Sequence, residues 1–386
     1  MIQFASIDEK HMRAAIRLAE QGRGNTRPNP MVGAVLVRDG AILAKGFHRR
    51  SGEAHAEIDA LRKVEMRAPG ATLYVTLEPC SHQGRTGPCA DAIISAGINR
   101  VVVGCLDENP KVAGRGVRKL KAAGIEVQVG CLDEVCRQLN RPFFTWITKR
   151  RPHVTLKVAA TLDGFIGDGD DGRRKTATRW ISGTEAREHV QAIRAQHDAI
   201  LVGVGTIQAD NPRLTLRIGK QPTFPLQRII LDSHLRSDPR ARIFQQTCTP
   251  QPLIIATSPR IEQAAFTSRR RRLSDLGVEV RLVPADSKGR PKLATVMALL
   301  AEREIQSLLV EGGSHIHGSF ISAGLVDRIL FYFAPALVGS GVPIAMGIGL
   351  GFDHPLRLTS MVAVPMGGDL LISAEVAGKS RQKRGK

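Results

Sequence analysis

Apolar residues recur along the chain at two spacings, about 3.6 residues on helical stretches and 2 on extended ones, and the two kinds of block alternate. Met12, Ala15, Ile16 and Ala19 share one helical face behind Ser6 and Glu9, which stand at capping-box spacing, so the first predicted element is a helix. Apolar runs over 31–37 and 41–47 flank Arg38-Asp39-Gly40 and predict a hairpin. A helix over 54–64, a strand over 72–77, a helix over 90–96, a strand over 100–104, a helix over 117–123 closed by Gly124, and a strand over 125–129 follow. This order predicts a three-layer α/β domain with a mixed sheet.

A short helix over 132–140 then leads into Arg141-Pro142-Phe143-Phe144 and the basic, proline-marked joint Lys149-Arg150-Arg151-Pro152. The expected boundary lies near residue 147, with a first domain over 1–146, a second over 147–378 and a basic tail over 379–386. The second series has strands over 154–160, 199–204, 228–231, 253–256, 278–283, 307–310, 328–334 and 369–375, with helices over 185–196 and 293–302, and so predicts another α/β domain. A length of 386 residues supports two hydrophobic cores. No repeat relates the halves, which implies different tasks.

Composition adds exclusions. Apolar residues at 42% and charged ones at 24% belong to a folded chain, and no apolar stretch reaches the length of a membrane span. The amphipathic, acid-bearing start differs from an export leader, so a reducing compartment, the cytoplasm, is expected, and six cysteines are too sparse for a disulfide scaffold. Cys105, Cys131, Cys136 and Cys248 sit in or beside apolar segments and read as inert small hydrophobes. A net charge of +19 attracts phosphates of any kind, free or in nucleic acid. With 12 Phe, 2 Tyr and 2 Trp, mostly inside apolar runs, stacking platforms for single strands are scarce. The runs Arg269–Arg272 and Lys379–Lys386 read as solvated surface.

Two regions carry chemistry. His55-Ala56-Glu57 stands at a helix start, Pro79-Cys80 at a strand end, and Cys89 nine positions further. One imidazole and two thiolates leave the fourth tetrahedral position of a zinc ion open, the form of a catalytic site. A zinc-bound water has its pKa lowered from about 15.7 to about 7, and Glu57 stands where a carboxylate can shuttle its proton. His-x-Glu followed by Pro-Cys and a second Cys is the pattern of zinc deaminases, here with Cys-x8-Cys in place of Cys-x-x-Cys. In the second half, Thr161-Leu162-Asp163-Gly164, Trp180-Ile181-Ser182, the stretch Gly203–Pro212 and Glu311-Gly312-Gly313-Ser314 fall at strand ends or helix starts, where glycines let a backbone approach a pyrophosphate. No Gly-x-Gly-x-x-Gly fingerprint opens that domain. The stretch over 167–175, with Asp168, Asp170 and Asp171 followed by Arg173-Arg174-Lys175, lacks the spacing of a calcium loop and reads as a mobile loop.

Asn29-Pro30-Met31-Val32-Gly33-Ala34-Val35, His55-Ala56-Glu57 and the block Thr76–Cys89 resemble the bifunctional deaminase-reductase family of riboflavin biosynthesis, and the later motifs extend the resemblance to about Leu371. The resemblance implies a cytidine-deaminase-like α/β/α domain followed by a dihydrofolate-reductase-like α/β domain. It implies one zinc ion per chain on His55, Cys80 and Cys89, with Glu57 as proton shuttle and His82 a loop residue, not a fourth ligand. It implies NADPH against Ala159, Trp180, Thr206, Asp210, Ser233 and the stretch Gly313, Ser314, His315, Ile316, His317, Gly318 and Ser319. The phosphorylated pyrimidine would meet Thr178, Arg194, Leu214, Arg217 and Glu311, the arginines matching a sugar phosphate. The implied reactions are deamination of 2,5-diamino-6-ribosylamino-4(3H)-pyrimidinone 5′-phosphate and NADPH-dependent reduction of its ribosyl group to ribityl. Lys157 and Asp210 are candidates for the proton donor of that reduction. Rival readings are a tRNA or single-stranded DNA deaminase, and a zinc-bearing binding protein, for which Glu57 would have no use. No membrane or specific nucleic-acid partner is expected, and the sequence is compatible with a homo-oligomer without setting its copy number.

Overall fold

The computed structural model describes residues 4–81, 87–110, 112–168, 180–217, 224–245, 250–258 and 264–377, and divides into two units, Met1–Arg151 and Pro152–Lys386. Thr178, His82, Cys248, the basic tail and most of the 167–175 stretch lie outside the described residues.

The first unit runs α1 (Ser6–Glu20), β1 (Gly33–Arg38), β2 (Ala41–Phe47), α2 (Ala56–Arg62), β3 (Thr72–Leu77), α3 (Cys89–Ser95), β4 (Arg100–Cys105), α4 (Arg115–Ala122), β5 (Glu126–Val129) and α5 (Asp133–Lys149). Its sheet has the order β2-β1-β3-β4-β5, antiparallel about β1 and parallel from β3 to β5. Leu36, Leu73, Val75, Val101 and Val103 point to one face, where Leu61, Ile93 and Leu120 of α2, α3 and α4 cover them. Val35, Val37, Tyr74 and Val102 point to the other, under Met12 and Ile16 of α1 and Phe143 and Phe144 of α5. Both faces are buried, so the strands read as continuous apolar runs. This is the expected three-layer domain.

Two local expectations fail. Ser6 lies inside α1, whose N-cap is Ala5 with no side-chain cap bond; acidic Asp8 and Glu9 occupy the first turn instead, and Asp8 is drawn to Arg100 at 2.8 Å and Tyr74 at 2.8 Å. The helix expected to end at Asn140 continues through Pro142 to Lys149. Proline removes one helical hydrogen bond, but Asn140 is tied to both Met31 N and Met31 O at 2.8 Å, and burial of Phe143 and Phe144 offsets the loss. Residue 147 therefore lies within a helix, and the units divide after Arg151.

The second unit runs β6 (His153–Thr161), β7 (Phe165–Gly167), α6 (Thr184–Ala195), β8 (Ala199–Gly203), α7 (Val204–Asp210), β9 (Gln227–Leu231), β10 (Leu253–Thr257), α8 (Ala264–Ser274), β11 (Glu279–Val283), α9 (Leu293–Glu302), β12 (Ser307–Val310), α10 (Ser314–Ser322), β13 (Arg328–Ala334), β14 (Val342–Pro343), β15 (Leu358–Met366) and β16 (Asp369–Val376). The main sheet has the order β11-β10-β9-β8-β12-β6-β13-β16-β15, parallel from β11 to β13 and antiparallel at β16 and β15. The carboxyl ends of β6, β8, β9 and β12 thus lie along one edge, the usual place for a ligand on an open α/β sheet. Among the described residues no helix is long and apolar enough to cross a membrane.

Candidate active sites

In the first unit, three short elements bring the motif residues together. His55 is the N-cap residue of α2, Cys80 follows Glu78-Pro79 off the end of β3, and Cys89 opens α3 behind Pro88. His55 Nδ1 lies 3.2 Å from Cys89 Sγ and 3.7 Å from Cys80 Sγ, and the three donor atoms are within 4.8 Å of one another. Tetrahedral zinc, with Zn–S of about 2.3 Å and Zn–N of about 2.0 Å, requires N···S separations of about 3.6 Å, so the donor set fits that metal. The Cys89 backbone N–H donates to Cys80 Sγ at 3.4 Å, and hydrogen bonds from the Cys89 thiol and His55 hold the Cys80 thiol well below its usual pKa. Replacing either cysteine by serine should remove most of the zinc; metal analysis finding a full complement in Cys80→Ser or Cys89→Ser would exclude this ligand set.

Glu57 sits in the first turn of α2, 3% exposed. Burial pushes its carboxyl up to about 7 against the pull of the His55 charge, so near neutrality it both accepts and returns a proton. Asn29 approaches the site indirectly. His48 Nδ1 donates to Ala54 O at 3.0 Å, which leaves His48 Nε2 to accept from Asn29 Nδ2 at 3.1 Å, and the His48 ring meets that of His55 edge-on at 5.5 Å. Sequence reasoning missed Glu78. Its buried carboxylate accepts from Gly114 N at 2.8 Å, Val117 N at 3.2 Å and Asp107 N at 3.4 Å, tying the turn that carries Cys80 to those three residues. A Cβ on Gly116 would meet Pro79 O at 1.9 Å, so the start of α4 lies directly on the turn that carries Cys80.

In the second unit, Glu311 lies between β12 and α10 and faces Arg194 of α6 and Lys157 of β6. Arg194 Nε and Nη2 donate to the two Glu311 oxygens at 2.7 and 2.9 Å, and Lys157 Nζ lies 3.6 Å from Oε2. Burial alone would raise the Glu311 carboxyl, but the Arg194 and Lys157 charges outweigh it and hold the group down to about 2. Burial pulls the Lys157 ammonium below its ordinary pKa. Tyr332 completes the cluster, its ring 5.9 Å from Lys157 Nζ and its hydroxyl 2.8 Å from His189 Nδ1.

The other expected contact residues lie at several places in the same unit. Arg217 N donates to Gln191 Oε1 of α6 at 3.0 Å, and buried Leu214 takes a φ of 55° in the same segment. Ala159 is two residues from Lys157 on β6 and so on the same face. Thr206 and Asp210 lie on α7, and a Cβ on Gly313 would stand 4.0 Å from Thr206 Oγ1, which sets the starts of α7 and α10 side by side. Ser233 follows β9 and accepts from Thr257 N and Oγ1 through its carbonyl. Trp180 is 63% exposed under the Arg187 guanidinium. Gly313 is the half-buried N-cap of α10; along the helix His315 is exposed, Ser319 accepts from Arg290 Nη1, and Ser314, His317 and Gly318 are buried. His317 Nδ1 donates to Ile344 O at 2.7 Å, its buried Nε2 meets no partner, and burial lowers the ring's pKa to about 4. The glycines divide in the same way. Cβ atoms on Gly203 and Gly312 would collide with Ile316 at 2.8 and 2.5 Å, so these two make room for packing, whereas Gly205 borders open space.

Comparison with known proteins agrees with this division. Residues 5–105 match the cytidine and deoxycytidylate deaminase zinc-binding region, and residues 152–372 match the RibD C-terminal domain. Curated relatives include riboflavin biosynthesis protein RibD of Aquifex aeolicus, 41% identical over 95% of this chain and 98% of that one, and of Escherichia coli, 41% identical over 86% and 89%. Solved structures of similar fold include Acinetobacter baumannii RibD, with a TM-score of 0.81 and 33% identity over 96% of this chain and 99% of that one. The diaminohydroxyphosphoribosylaminopyrimidine deaminase/5-amino-6-(5-phosphoribosylamino)uracil reductase of Thermotoga maritima gives a TM-score of 0.81 and 35% identity over 96% and 99%.

Proposed function

Because the chain belongs to the riboflavin biosynthesis protein RibD family and is a bifunctional deaminase and reductase, we propose that His55, Cys80, Cys89 and Glu57 carry the deamination and that Lys157, Arg194, Arg217 and Glu311 serve the reduction. The observation that carries the first assignment is the triangle of three metal-seeking atoms within 4.8 Å beside one buried carboxyl. Zinc, when bound there, supplies Lewis acidity that makes water nucleophilic near neutral pH. Glu57 takes the proton set free and delivers it to the departing amine, so that ammonia leaves as oxygen replaces nitrogen on the pyrimidine ring. Glu78 holds the Cys80 turn in place. Cys80 and Cys89 must stay thiolates for this chemistry, which suits the reducing cytoplasm where we place the enzyme.

NADPH supplies the hydride of the second step when bound. Lys157 Nζ gives the proton taken by the sugar oxygen as the ribosyl ring opens to ribityl, and Glu311 and Arg194 fix the ammonium in position. Arg194 has both fork nitrogens on Glu311, while Arg217 keeps an exposed guanidinium for the substrate phosphate. Arg217→Ala should therefore raise the substrate KM of reduction about 10- to 100-fold, the loss of one charged hydrogen bond, with little change in melting temperature. An unchanged KM would take Arg217 out of the site.

A chelator applied to the full chain tests the division of labour. Deamination should stop, and reduction of already deaminated substrate should continue at its former rate. Loss of both activities on chelation, without unfolding, would tie the reductase to the metal and overturn the assignment of one reaction to each unit.

A further inference from the structure

Helix α6 carries one polar side chain among its buried residues. Ala186, Val190 and Ile193 pack with Leu330 and Tyr332 of β13, so an apolar residue would suit the next buried position; the chain places Gln191 there instead, 8% exposed. A buried amide needs a partner to offset the loss of water. Gln191 Oε1 has one in the backbone N–H of Arg217, at 3.0 Å. The rest of the segment over 211–217 is fixed by groups outside α6. Asn211 Oδ1 accepts from Arg242 N at 2.8 Å, Leu214 is buried in the core with Ile200 and Ile230, and Arg213 O accepts from Arg228 Nη1 at 3.2 Å. Arg228 is itself buried and donates also to Ile243 O at 2.7 Å and to Pro250 O, which makes it a firm post. Gln191 therefore holds the end of the segment that bears the Arg217 guanidinium.

We propose that Gln191 is a positioning residue for the reduction: by accepting from Arg217 N it keeps the Arg217 guanidinium where the substrate's 5′-phosphate arrives, and so makes the reductase prefer the phosphorylated pyrimidine to the same compound without phosphate. The inference rests on the reading of Arg217 as the phosphate contact. Gln191 stands three positions before Arg194, a rise of about 4.5 Å along the helix, and residues at that spacing share a face. Arg194 in turn is clamped on Glu311 beside Lys157. One helix thus holds both the cluster that serves the sugar and the segment that meets the phosphate, and its rigid rise fixes the distance between them. An arginine whose backbone is held in advance has less freedom to lose when the phosphate binds, which raises affinity although Gln191 touches no reacting atom. The phosphate takes no part in hydride transfer. Its binding energy is the same before and during the chemical step, so loss of the positioning falls on KM and not on kcat.

The test uses the full chain and initial rates of NADPH-dependent reduction of 5-amino-6-(5-phosphoribosylamino)uracil and of its dephosphorylated form. Gln191→Met fills nearly the same space without the acceptor. It should raise the KM of the phosphorylated substrate about 2- to 10-fold, the worth of one neutral hydrogen bond, and leave kcat, the KM of NADPH and kcat/KM of the dephosphorylated compound unchanged. Gln191→Asn, which keeps the amide but draws it back by one methylene, should show the same loss and covers the case in which methionine disturbs the packing of α6. In an Arg217→Ala background Gln191→Met should add nothing further, because the group it would misplace is gone. Additive effects of the two substitutions, or an equal loss with both substrates, would mean that Gln191 only shapes the unit and would overturn the proposal. So would an unchanged KM in Gln191→Met and Gln191→Asn alongside a raised one in Arg217→Ala. An unchanged KM in Arg217→Ala itself would instead overturn the phosphate reading beneath it.

Discussion

Glu57→Gln should retain zinc and lose deamination by a factor of about 10² to 10⁴, the usual contribution of a positioned general acid–base. The amide keeps the shape of the side chain, and the three donor atoms of His55, Cys80 and Cys89 do not include it. What it cannot do is accept a proton and return it. The carboxyl is suited to that task because burial raises it to about 7, whereas an exposed glutamate would be ionised and a weaker base. The same burial predicts the shape of the pH profile. Deamination should fall on the acid side as Glu57 becomes protonated in the resting enzyme, with an apparent midpoint nearer neutrality than an ordinary glutamate gives. The measurement is kcat/KM for ammonia release across pH, with metal analysis of the same samples. A variant that keeps both zinc and full rate would show that another base serves the site.

The deaminase half was legible because its chemistry is local. His55 and Glu57 share one helix start, and Cys80 and Cys89 stand only nine positions apart, so the spacing along the chain survives as spacing in the site. Glu78 escaped notice because its partners are backbone N–H groups of residues 107, 114 and 117, which have no side-chain signature. The reductase half behaves differently. Arg194 and Glu311 are 117 positions apart and meet only because β12 lies between β8 and β6, an order no periodicity reveals. The sequence marked each residue separately but gave no sign that Arg194 is spent on Glu311.

Unseen elements have equally physical causes. Helix α7 is absent from the elements expected from sequence because Gly203 and Gly205 at its start are poor helix formers, although Gly203 is its N-cap and leaves room for Ile316. In α8 only Phe266 and Leu273 are buried, too few to print a period on an arginine-rich stretch. Edge strand β15 buries so little that Met361, Val362 and Val364 stay exposed, and an alternating pattern has no core to alternate against. Pro142 concealed the second half of α5, since a proline is read as an end when only the chain is visible.

Lys157→Met should lower kcat for reduction by about 10² to 10⁴ while deamination and metal content stay as they were. The side chain is held against Glu311 at 3.6 Å and above the Tyr332 ring, in a cluster whose Arg194–Glu311 pair persists when the lysine is removed, so the variant should fold. Lys157→Arg should be nearly as poor, because a guanidinium keeps the charge but does not release its proton at physiological pH. The neighbouring Glu311→Gln should fail for a different reason. It leaves two buried cations without their counter-ion, and breaking such a pair costs about 3 to 5 kcal/mol of stability. The sign with pH follows from the depressed carboxyl of Glu311: the stabilisation is complete above its unfolded value near 4.5 and is lost as pH falls toward about 2, so the unaltered chain should lose its melting-temperature advantage over Glu311→Gln on acidification. Single-turnover reduction with deaminated substrate, followed by loss of NADPH absorbance, separates the cases. Reduction at the original rate in Lys157→Met would remove the lysine from proton transfer and leave Asp210 of α7 as the group to examine.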